Sequence, residues 1–220
     1  MPEQQIKSKE RVSEHGEVFT AEREVNAMLD LVKPETERID SRFLEPACGE
    51  GAFLTEILRR KLAAVKNRYG KNAADYERYS VLAVTSIYGV DIQADNAAIC
   101  RANLYEIWNE EYSAAVKAQA NYGCRKAVKY ILSKNIVCGD ALTLLDKNGE
   151  PIEFAEWSFV TPTLIKRRDY RFDELLNGHE QEINLFVEGW EYDAETKAFI
   201  PAPIREYPLC DYRKVADGNE

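Results

Sequence analysis

The chain has 220 residues, of which 45% are hydrophobic and 30% are charged, a balance typical of a globular protein with a sizeable core. Its net charge of -9 argues against an autonomous, non-specific nucleic-acid-binding protein, because such proteins gain affinity by neutralising phosphates. No apolar stretch approaches the roughly 20 residues that span a bilayer, and the polar start is not typical of a secretory signal peptide.

The cysteines and histidines give no sign of a metal site. The five cysteines are scattered and form no C-x-x-C pair, which favours reduced thiols in a cytoplasm over a disulfide framework. His15 and His179 have no carboxylate or cysteine at a metal-ligand spacing. We therefore expect a cytoplasmic protein without a metal or a membrane segment. The composition does not indicate which oligomeric state the protein has.

The predicted elements begin after a polar N-terminal segment. Apolar residues at helical spacing predict a helix from Glu22 that ends at Lys33-Pro34. Arg42 to Ala47 is predicted to be a short buried strand. A strongly amphipathic helix is predicted to follow from Phe53 to Val65 and to close at Tyr69-Gly70.

Helices and strands alternate through the middle of the chain. This order predicts an α/β fold with a doubly wound, mostly parallel sheet that is covered on both faces. The predicted strands are Ile87–Ile92, Asn135–Cys138 and Glu153–Val160, and the predicted helices are Ala74–Val84, a long one from Ala94, and Cys124–Leu132.

The C-terminal part has a different pattern. A short helix is predicted from Phe172 and ends at Asn177-Gly178, and two strands, Ile183–Tyr192 and Ala198–Ile204, are predicted around a hairpin-like turn. We therefore predict three parts: a mobile N-terminus at 1–15, a core domain at 16–165, and an appendage with a hairpin at 166–220.

The stretch FLEPACGEGAF joins the first predicted strand to a helix through two glycines. Ligands of open parallel sheets bind beyond the carboxyl ends of the strands, where Gly49 and Gly51 are expected. Glycine permits positive φ and leaves no Cβ between backbone and ligand, and the free N–H groups of a helix start suit a polar or anionic group. The alternative is a turn that needs glycine for its geometry alone.

Two aspartates are predicted at the ends of the next two strands. Asp91, in YGVDIQADN, can accept hydrogen bonds from a ribose diol, although it follows Gly51 by 40 residues and not by the usual number of about 20. Asp140, in NIVCGDAL, can lie beside the exocyclic amine of an adenine. The alternatives are a solvated strand-end residue for Asp91 and a turn-capping residue for Asp140.

The pattern (D/E)-P-A-C-G-x-G-x-F is matched in full by Glu45–Phe53. On these residues the chain resembles S-adenosylmethionine-dependent DNA adenine methyltransferases, the modification subunits of restriction–modification systems. More narrowly, it resembles the short bacterial proteins labelled restriction endonuclease subunit M or methyltransferase-like. The resemblance covers roughly Gly16 to Val160. It implies the Rossmann-like class-I methyltransferase fold, S-adenosylmethionine as cofactor, and DNA and a partner subunit as binding partners.

The resemblance implies roles for residues at the three strand ends. Glu45 would bind the amino group of S-adenosylmethionine, and Asp91 would bind the ribose hydroxyls. Ile92 would cover the adenine, and Asp140 would accept from the adenine amine. The full set of implied cofactor-binding residues is Phe19, Thr20, Glu45, Pro46, Ala47, Cys48, Gly49, Gly51, Phe53, Asp91, Ile92, Asp140 and Ala141.

An upstream segment extends the resemblance. HGEVFTAEREVNAMLDLV is similar to the family segment G-x-x-(F/Y)-T-P-x-x-V-x-x-M. By this similarity, Phe19 and Thr20 would contact the methionine end of the cofactor. Ala21 stands where the family has proline, so the turn is not set in advance by a proline ring.

The catalytic motif of the family is missing from the sequence. Adenine methyltransferases carry (N/D/S)-P-P-(Y/F/W) just beyond the fourth strand, where two acceptors bind the target amine and the aromatic residue stacks on a flipped base. Thr161-Pro162-Thr163-Leu164 occupies the expected place, so Thr161 and Pro162 are the candidate catalytic residues of a degenerate site. The alternatives are an inactive cofactor-binding or structural subunit that acts through a partner, and a methyltransferase for small molecules or proteins.

One tight basic cluster, Lys166-Arg167-Arg168, follows the predicted core domain. Arginine and lysine side chains in such a cluster can contact the phosphates of DNA. The alternative is a solvated turn, which the net charge of -9 favours.

Overall fold

The computed structural model describes residues 20–177, 190–193 and 198–217. The helices are α1 (Glu22–Asp30), α2 (Lys33–Thr36), α3 (Ala52–Tyr69), α4 (Ala73–Thr85), α5 (Ala94–Val116), α6 (Tyr122–Asn135) and α7 (Phe172–Asn177). The strands are β1 (Phe43–Glu45), β2 (Ile87–Asp91), β3 (Ile136–Asp140), β4 (Leu145–Asp146), β5 (Glu153–Phe159), β6 (Leu164–Arg171), β7 (Trp190–Asp193), β8 (Ala198–Pro201), β9 (Arg205–Glu206) and β10 (Cys210–Asp211).

A four-stranded sheet lies at the centre of the fold, in the order β1-β2-β3-β4. The pairs β1–β2 and β2–β3 are parallel, and the short β4 pairs with β3 in the antiparallel direction. Parallel neighbours need a connection long enough to cross the sheet, which α3 with α4 and then α5 with α6 provide. The prediction of a mixed α/β fold with a mostly parallel sheet is confirmed.

Helices α3 to α6 pack on one face of this sheet. Successive side chains of β2 point to opposite sides, and Ile87 points into a core that also contains Leu58 of α3, Leu104 of α5 and Ile131 of α6. All four side chains are at most 1% exposed. Burial of side chains of this size stabilises the fold by about 1.5–3 kcal/mol each. The apolar stripes predicted from the sequence therefore meet in a single core.

The other face of β2 packs against β5 and the start of α7. Tyr88 points to this side and packs edge to face against Phe154, with ring centroids 5.5 Å apart. Phe154 packs in the same way against Phe172, with ring centroids 5.2 Å apart. The Tyr88 hydroxyl donates to the Ala155 carbonyl at 3.0 Å. In the described part of the chain, this face is thus covered largely by an antiparallel strand, where a doubly wound fold would have a second helix layer.

The predicted fourth strand has a different partner from the one expected. Glu153–Val160 is a strand, but β5 pairs antiparallel with β6 along its full length instead of joining the parallel sheet. The connection from β3 to β5 contains turns and β4, and it contains no helix that could carry the chain back across the sheet. Because of this, β5 starts at the carboxyl end of the sheet and runs back across the face on which Tyr88 lies.

The boundary predicted at residue 166 falls inside strand β6, which pairs along its length with β5 of the predicted core domain. Tyr212, in a 3₁₀ turn, is 1% exposed, and its hydroxyl donates to Glu77 of α4 at 2.5 Å. Arg213 and Tyr112 of α5 donate to the same carboxylate. A buried carboxylate needs such donors, and they tie the C-terminal turn to the helices.

Several predictions concern residues outside the described ranges. The mobile N-terminus at 1–15, both histidines, Phe19 and the first part of the predicted strand Ile183–Tyr192 lie there. The described part of the C-terminal hairpin agrees with the prediction, since β7 and β8 pair antiparallel. Helix α7 begins at Phe172 and reaches Asn177, also as predicted.

Candidate functional site

The glycine loop, residues 46–51, connects β1 to α3 at the carboxyl ends of the parallel strands. Gly49 and Gly51 have φ of +53° and +93°, a region that residues with a side chain rarely adopt. A Cβ at Gly51 would lie 2.7 Å from the Cys100 sulfur, whereas a Cβ at Gly49 would have no atom within 4 Å. Residue 51 must therefore be glycine both because of its positive φ and because Cys100 lies so close. The space beside Gly49, in contrast, is open.

Asp91 holds this loop from the end of β2. Its Oδ2 accepts the Gly49 N–H at 2.8 Å, and its Oδ1 accepts the Gln93 N–H at 2.9 Å and the Asn96 side-chain amide at 3.3 Å. The residue is 8% exposed, so it is not a solvated strand-end aspartate. A carboxylate can accept about four hydrogen bonds, and three are used here.

Helix α3 begins directly after the glycine loop. Gly51 is its N-cap residue, and no side chain in the described residues caps this end. The first N–H groups of a helix have no partner within the helix and carry a partial positive charge. Phe53, in the first turn, is partly buried against the core. The helix start can therefore receive a polar or anionic group from the region beyond the carboxyl ends of β1, β2 and β3, which we call the crevice.

Glu45 and Cys48 lie on either side of the exposed residues Pro46 and Ala47. Glu45 is half-buried, and burial raises the pKa of its carboxyl group. A hydrogen bond with Cys100, together with burial, raises the pKa of the Cys48 thiol. The thiol therefore stays protonated and unreactive.

The end of β3 forms the third side of the crevice. Asp140 Oδ1 accepts the Leu142 N–H at 2.8 Å, so this residue caps a turn, as the alternative prediction had it. The Cys138 thiol lies 3.6 Å from the Ile92 carbonyl, which links the ends of β2 and β3. Ile92 is 63% exposed and Ala141 is half-buried, so both give the crevice an apolar rim.

The upstream segment enters the described structure at Thr20, which is half-buried. Ala21 is the N-cap residue of α1 and has a φ of -64°, the value that a proline ring would impose. The alanine thus keeps the backbone conformation of the proline that the family carries. Val25 and Leu29 bury one face of α1 in the core, where α1 packs against α3.

Strand β5 carries the candidate catalytic residues away from the crevice. Ile152, just before β5, lies beside Gly139 near the carboxyl end of β3, since a Cβ at that glycine would be 2.6 Å from the Ile152 Cδ1. Trp157 donates to the Asn135 side chain at 2.9 Å, and Asn135 lies directly before the amino end of β3. The seven residues of β5 therefore cross the sheet from its carboxyl edge to its amino edge, a length of about 23 Å.

Thr161 and Pro162 lie at the tip of the β5–β6 hairpin, beyond the amino end of the parallel strands. Thr161 Oγ1 accepts the Leu164 N–H at 3.0 Å, and the neighbouring Thr163 carbonyl accepts the Tyr212 N–H at 3.0 Å. The structure does not bring this pair together with Gly49 and the other crevice residues. They lie apart because β5 runs opposite to the direction predicted for it.

The basic cluster Lys166-Arg167-Arg168 lies in strand β6, and all three side chains are paired with acidic residues. Arg167 is buried and makes two hydrogen bonds of 2.7 Å to the Asp169 carboxylate. Lys166 and Arg168 both lie within ion-pair distance of Glu206 in β9, at 2.6 and 3.6 Å. The cluster is therefore neither a free phosphate-binding site nor a solvated turn.

Sequence reasoning missed the contribution of α5 to the site. Asn96 donates to Asp91, Cys100 packs beneath Gly51, and the Asn103 side-chain amide donates to the Glu50 carbonyl at 3.0 Å. The three residues follow the spacing i, i+4, i+7, so they share one face of the helix. Polar residues at this spacing, directly after the predicted Asp91 strand, were the signal in the sequence.

Two further findings limit the kinds of site. In the described residues, no group of three or more histidine, cysteine or acidic side chains could hold a metal ion. No helix of the described ranges is long and apolar enough to cross a bilayer.

Fold and site together define an α/β protein with a glycine loop and acidic strand ends at the carboxyl ends of its parallel strands, where ligands of open α/β sheets bind. A comparison with family profiles matches residues 5–126 to the N-6 DNA Methylase family. Because this match covers more than half of the 220 residues, the chain belongs to that family. The resemblance to DNA adenine methyltransferases is thereby confirmed. Searches of curated proteins and of solved structures found no significant match.

Proposed function

We propose that the chain binds S-adenosylmethionine in the crevice between the glycine loop and the ends of β2 and β3, on a Rossmann-like methyltransferase fold. Membership of the N-6 DNA methylase family supports this cofactor. The observation that carries the proposal is the hydrogen bond from Gly49 to Asp91, which joins two strand ends into one polar crevice. When bound, the cofactor supplies an electrophilic methyl group.

The residues around the crevice fit the parts of this cofactor. The open space at Gly49 and the uncapped start of α3 give room and N–H donors for its polar atoms. Ile92 offers an exposed apolar surface to the adenine. Asp91 has capacity for about one more hydrogen bond, so it accepts from one ribose hydroxyl while it keeps the loop in place. Glu45 and Asp140 are the proposed acceptors for the amino group and the adenine amine.

The test is a calorimetric titration of the purified chain with S-adenosylmethionine. We expect micromolar binding by the wild type and at least about tenfold weaker binding by Asp91→Ala, since hydrogen bonds to a charged group contribute about 1.5–3 kcal/mol. Asp75→Ala, which removes a carboxylate from α4, serves as the matched control and should bind as the wild type does. A well-folded wild-type chain that shows no binding would sink the proposal.

The position of the β5–β6 hairpin favours a second candidate function. Because Thr161 and Pro162 lie beyond the amino end of the parallel strands, this pair is not placed to accept from a target adenine beside the cofactor. On this hypothesis the chain is a cofactor-binding subunit of a restriction–modification or defence system. Methyl transfer to adenine N6 in DNA would then require a partner subunit that brings the catalytic residues.

A transfer assay separates the two candidates. The chain would be incubated with DNA and S-adenosylmethionine that carries a labelled methyl group, with and without a candidate partner subunit. The partner-dependent function predicts no label in DNA for the chain alone. Label transferred by the chain alone would establish an independent methyltransferase and contradict the partner-dependent function.

A further inference from the structure

One peptide unit of the glycine loop, between Glu50 and Gly51, makes a hydrogen bond on each side. The Glu50 carbonyl and the Gly51 N–H belong to the same planar group, so they point in opposite directions. The Gly51 N–H donates to the Cys48 carbonyl at 2.8 Å, and the Glu50 carbonyl accepts from the Asn103 side chain at 3.0 Å. The peptide is therefore held from both sides, by the loop itself and by helix α5.

This peptide needs an external constraint. Glycines flank Glu50 on both sides, and glycine reaches positive and negative φ with similar ease. Without the α5 contact, rotation of the peptide would break one hydrogen bond fewer, and it would point the Gly51 N–H away from the Cys48 carbonyl. Gly51 is also the N-cap residue of α3, so the same rotation would disturb the N–H groups that face the crevice.

We infer that Asn103 is a positioning residue for cofactor binding, which acts by holding the Glu50–Gly51 peptide in the orientation that the crevice requires. This inference rests on the proposed function. The apparent dissociation constant equals the intrinsic one divided by the fraction of protein in the competent conformation. Loss of the Asn103 donor lowers that fraction, so it weakens S-adenosylmethionine binding although Asn103 itself does not contact the cofactor.

The chain offers a matched pair of variants on helix α5. Asn103→Asp keeps the shape of the side chain but removes its donor. Asn109→Asp adds the same charge further along the helix, and it keeps its hydrogen bond because Asn109 uses its oxygen to accept from Arg125. Asn103→Ala removes the donor without adding a charge, and it serves as the second variant if Asn103→Asp does not fold.

Two measurements test the inference, calorimetric titration with S-adenosylmethionine and hydrogen exchange of the Gly51 amide in the cofactor-free protein. We expect Asn103→Asp to bind at least about tenfold more weakly and to exchange the Gly51 amide at least about tenfold faster, the effect of about 1.4 kcal/mol in each case. Asn109→Asp should match the wild type in both measurements, and the amides of the α5 core should exchange alike in all variants.

The outcomes keep this inference apart from the proposed function. A wild-type chain that does not bind S-adenosylmethionine contradicts the proposed function, and the positioning of a cofactor by Asn103 falls with it. If the wild type binds and Asn103→Asp binds equally well, only the inference about Asn103 is overturned. It is also overturned if the Gly51 amide exchanges at the wild-type rate in both Asn103 variants, because the loop then does not depend on this contact.

Discussion

Lys61 of α3 is a fully buried lysine that anchors the segment in front of the first strand. Its ammonium group donates to the Ile39 carbonyl at 3.1 Å, to the Ser86 hydroxyl at 2.7 Å and to the Ser41 carbonyl. Burial lowers the pKa of Lys61 to about 7. The group joins α3, the entry to β1 and the entry to β2, so it helps to place the strand that carries the glycine loop.

The lowered pKa of Lys61 predicts a pH-dependent stability. The pKa of a lysine in an unfolded chain is about 10.4. Between pH 7 and that value the unfolded chain holds a proton that the folded protein releases, so the free energy of unfolding should rise with pH over this range. Urea denaturation at several pH values would measure the rise. Lys61→Met should lack this rise, and pH profiles of equal slope for both proteins would contradict the prediction.

At the scale of elements, strand β6 illustrates why strand pairing was hard to predict. Its inward-facing residues alternate correctly, but they include the buried ion pair Arg167 and Asp169 beside Ile165. Charges at core positions hide the apolar alternation that predicts a strand. The charges are tolerated because Arg167 also donates to the Tyr130 hydroxyl and lies 4.2 Å above the Tyr207 ring.

The turn between β5 and β6 gives a prediction about Thr161. Thr161→Ala removes the hydroxyl that accepts the Leu164 N–H, and we expect a loss of about 1 kcal/mol in the free energy of unfolding with no change in S-adenosylmethionine affinity. Denaturation and calorimetric titration would measure the two quantities. Thr163→Ala, at the same exposed tip, should change stability by less than about 0.5 kcal/mol. Weaker cofactor binding by Thr161→Ala would show that the tip takes part in the site.

At the scale of the whole molecule, the C-terminal turn and the helices form one packed unit. Glu77 of α4 accepts from Tyr112 of α5 and from Tyr212 and Arg213 of the C-terminal turn. The Tyr212 ring also packs against the Phe159 ring of β5, with ring centroids 5.5 Å apart. Contacts between residues this far apart in sequence form only when both sheets and the helix layer are in place, so we expect these parts to unfold together.

Tyr212→Phe tests whether the C-terminal turn unfolds together with the helices. The variant keeps the ring but removes the hydroxyl that donates to the buried Glu77 carboxylate, and we expect the free energy of unfolding to fall by about 1–3 kcal/mol in a single transition. Tyr122→Phe, at a tyrosine that is 81% exposed, should change it by less than about 0.5 kcal/mol. Two separate unfolding transitions, or equal stability of both variants, would mean that the C-terminal turn is independent of the helices.

The sequence by itself determined helices α1 and α3 to α7, the first three strands and the location of the glycine loop. These features depend on residues close together in the chain: apolar spacing, the Gly49 and Gly51 turn, and aspartates directly after strands. Helix α2 begins at Lys33-Pro34, where the sequence predicted the end of α1. Only the tertiary structure decided that β5 pairs with β6, that Asp91 holds Gly49, and that Thr161 lies away from the crevice. Such contacts join residues tens of positions apart, as Tyr212 and Glu77 do, and a local pattern carries no information about which distant partner a strand or a charge will find.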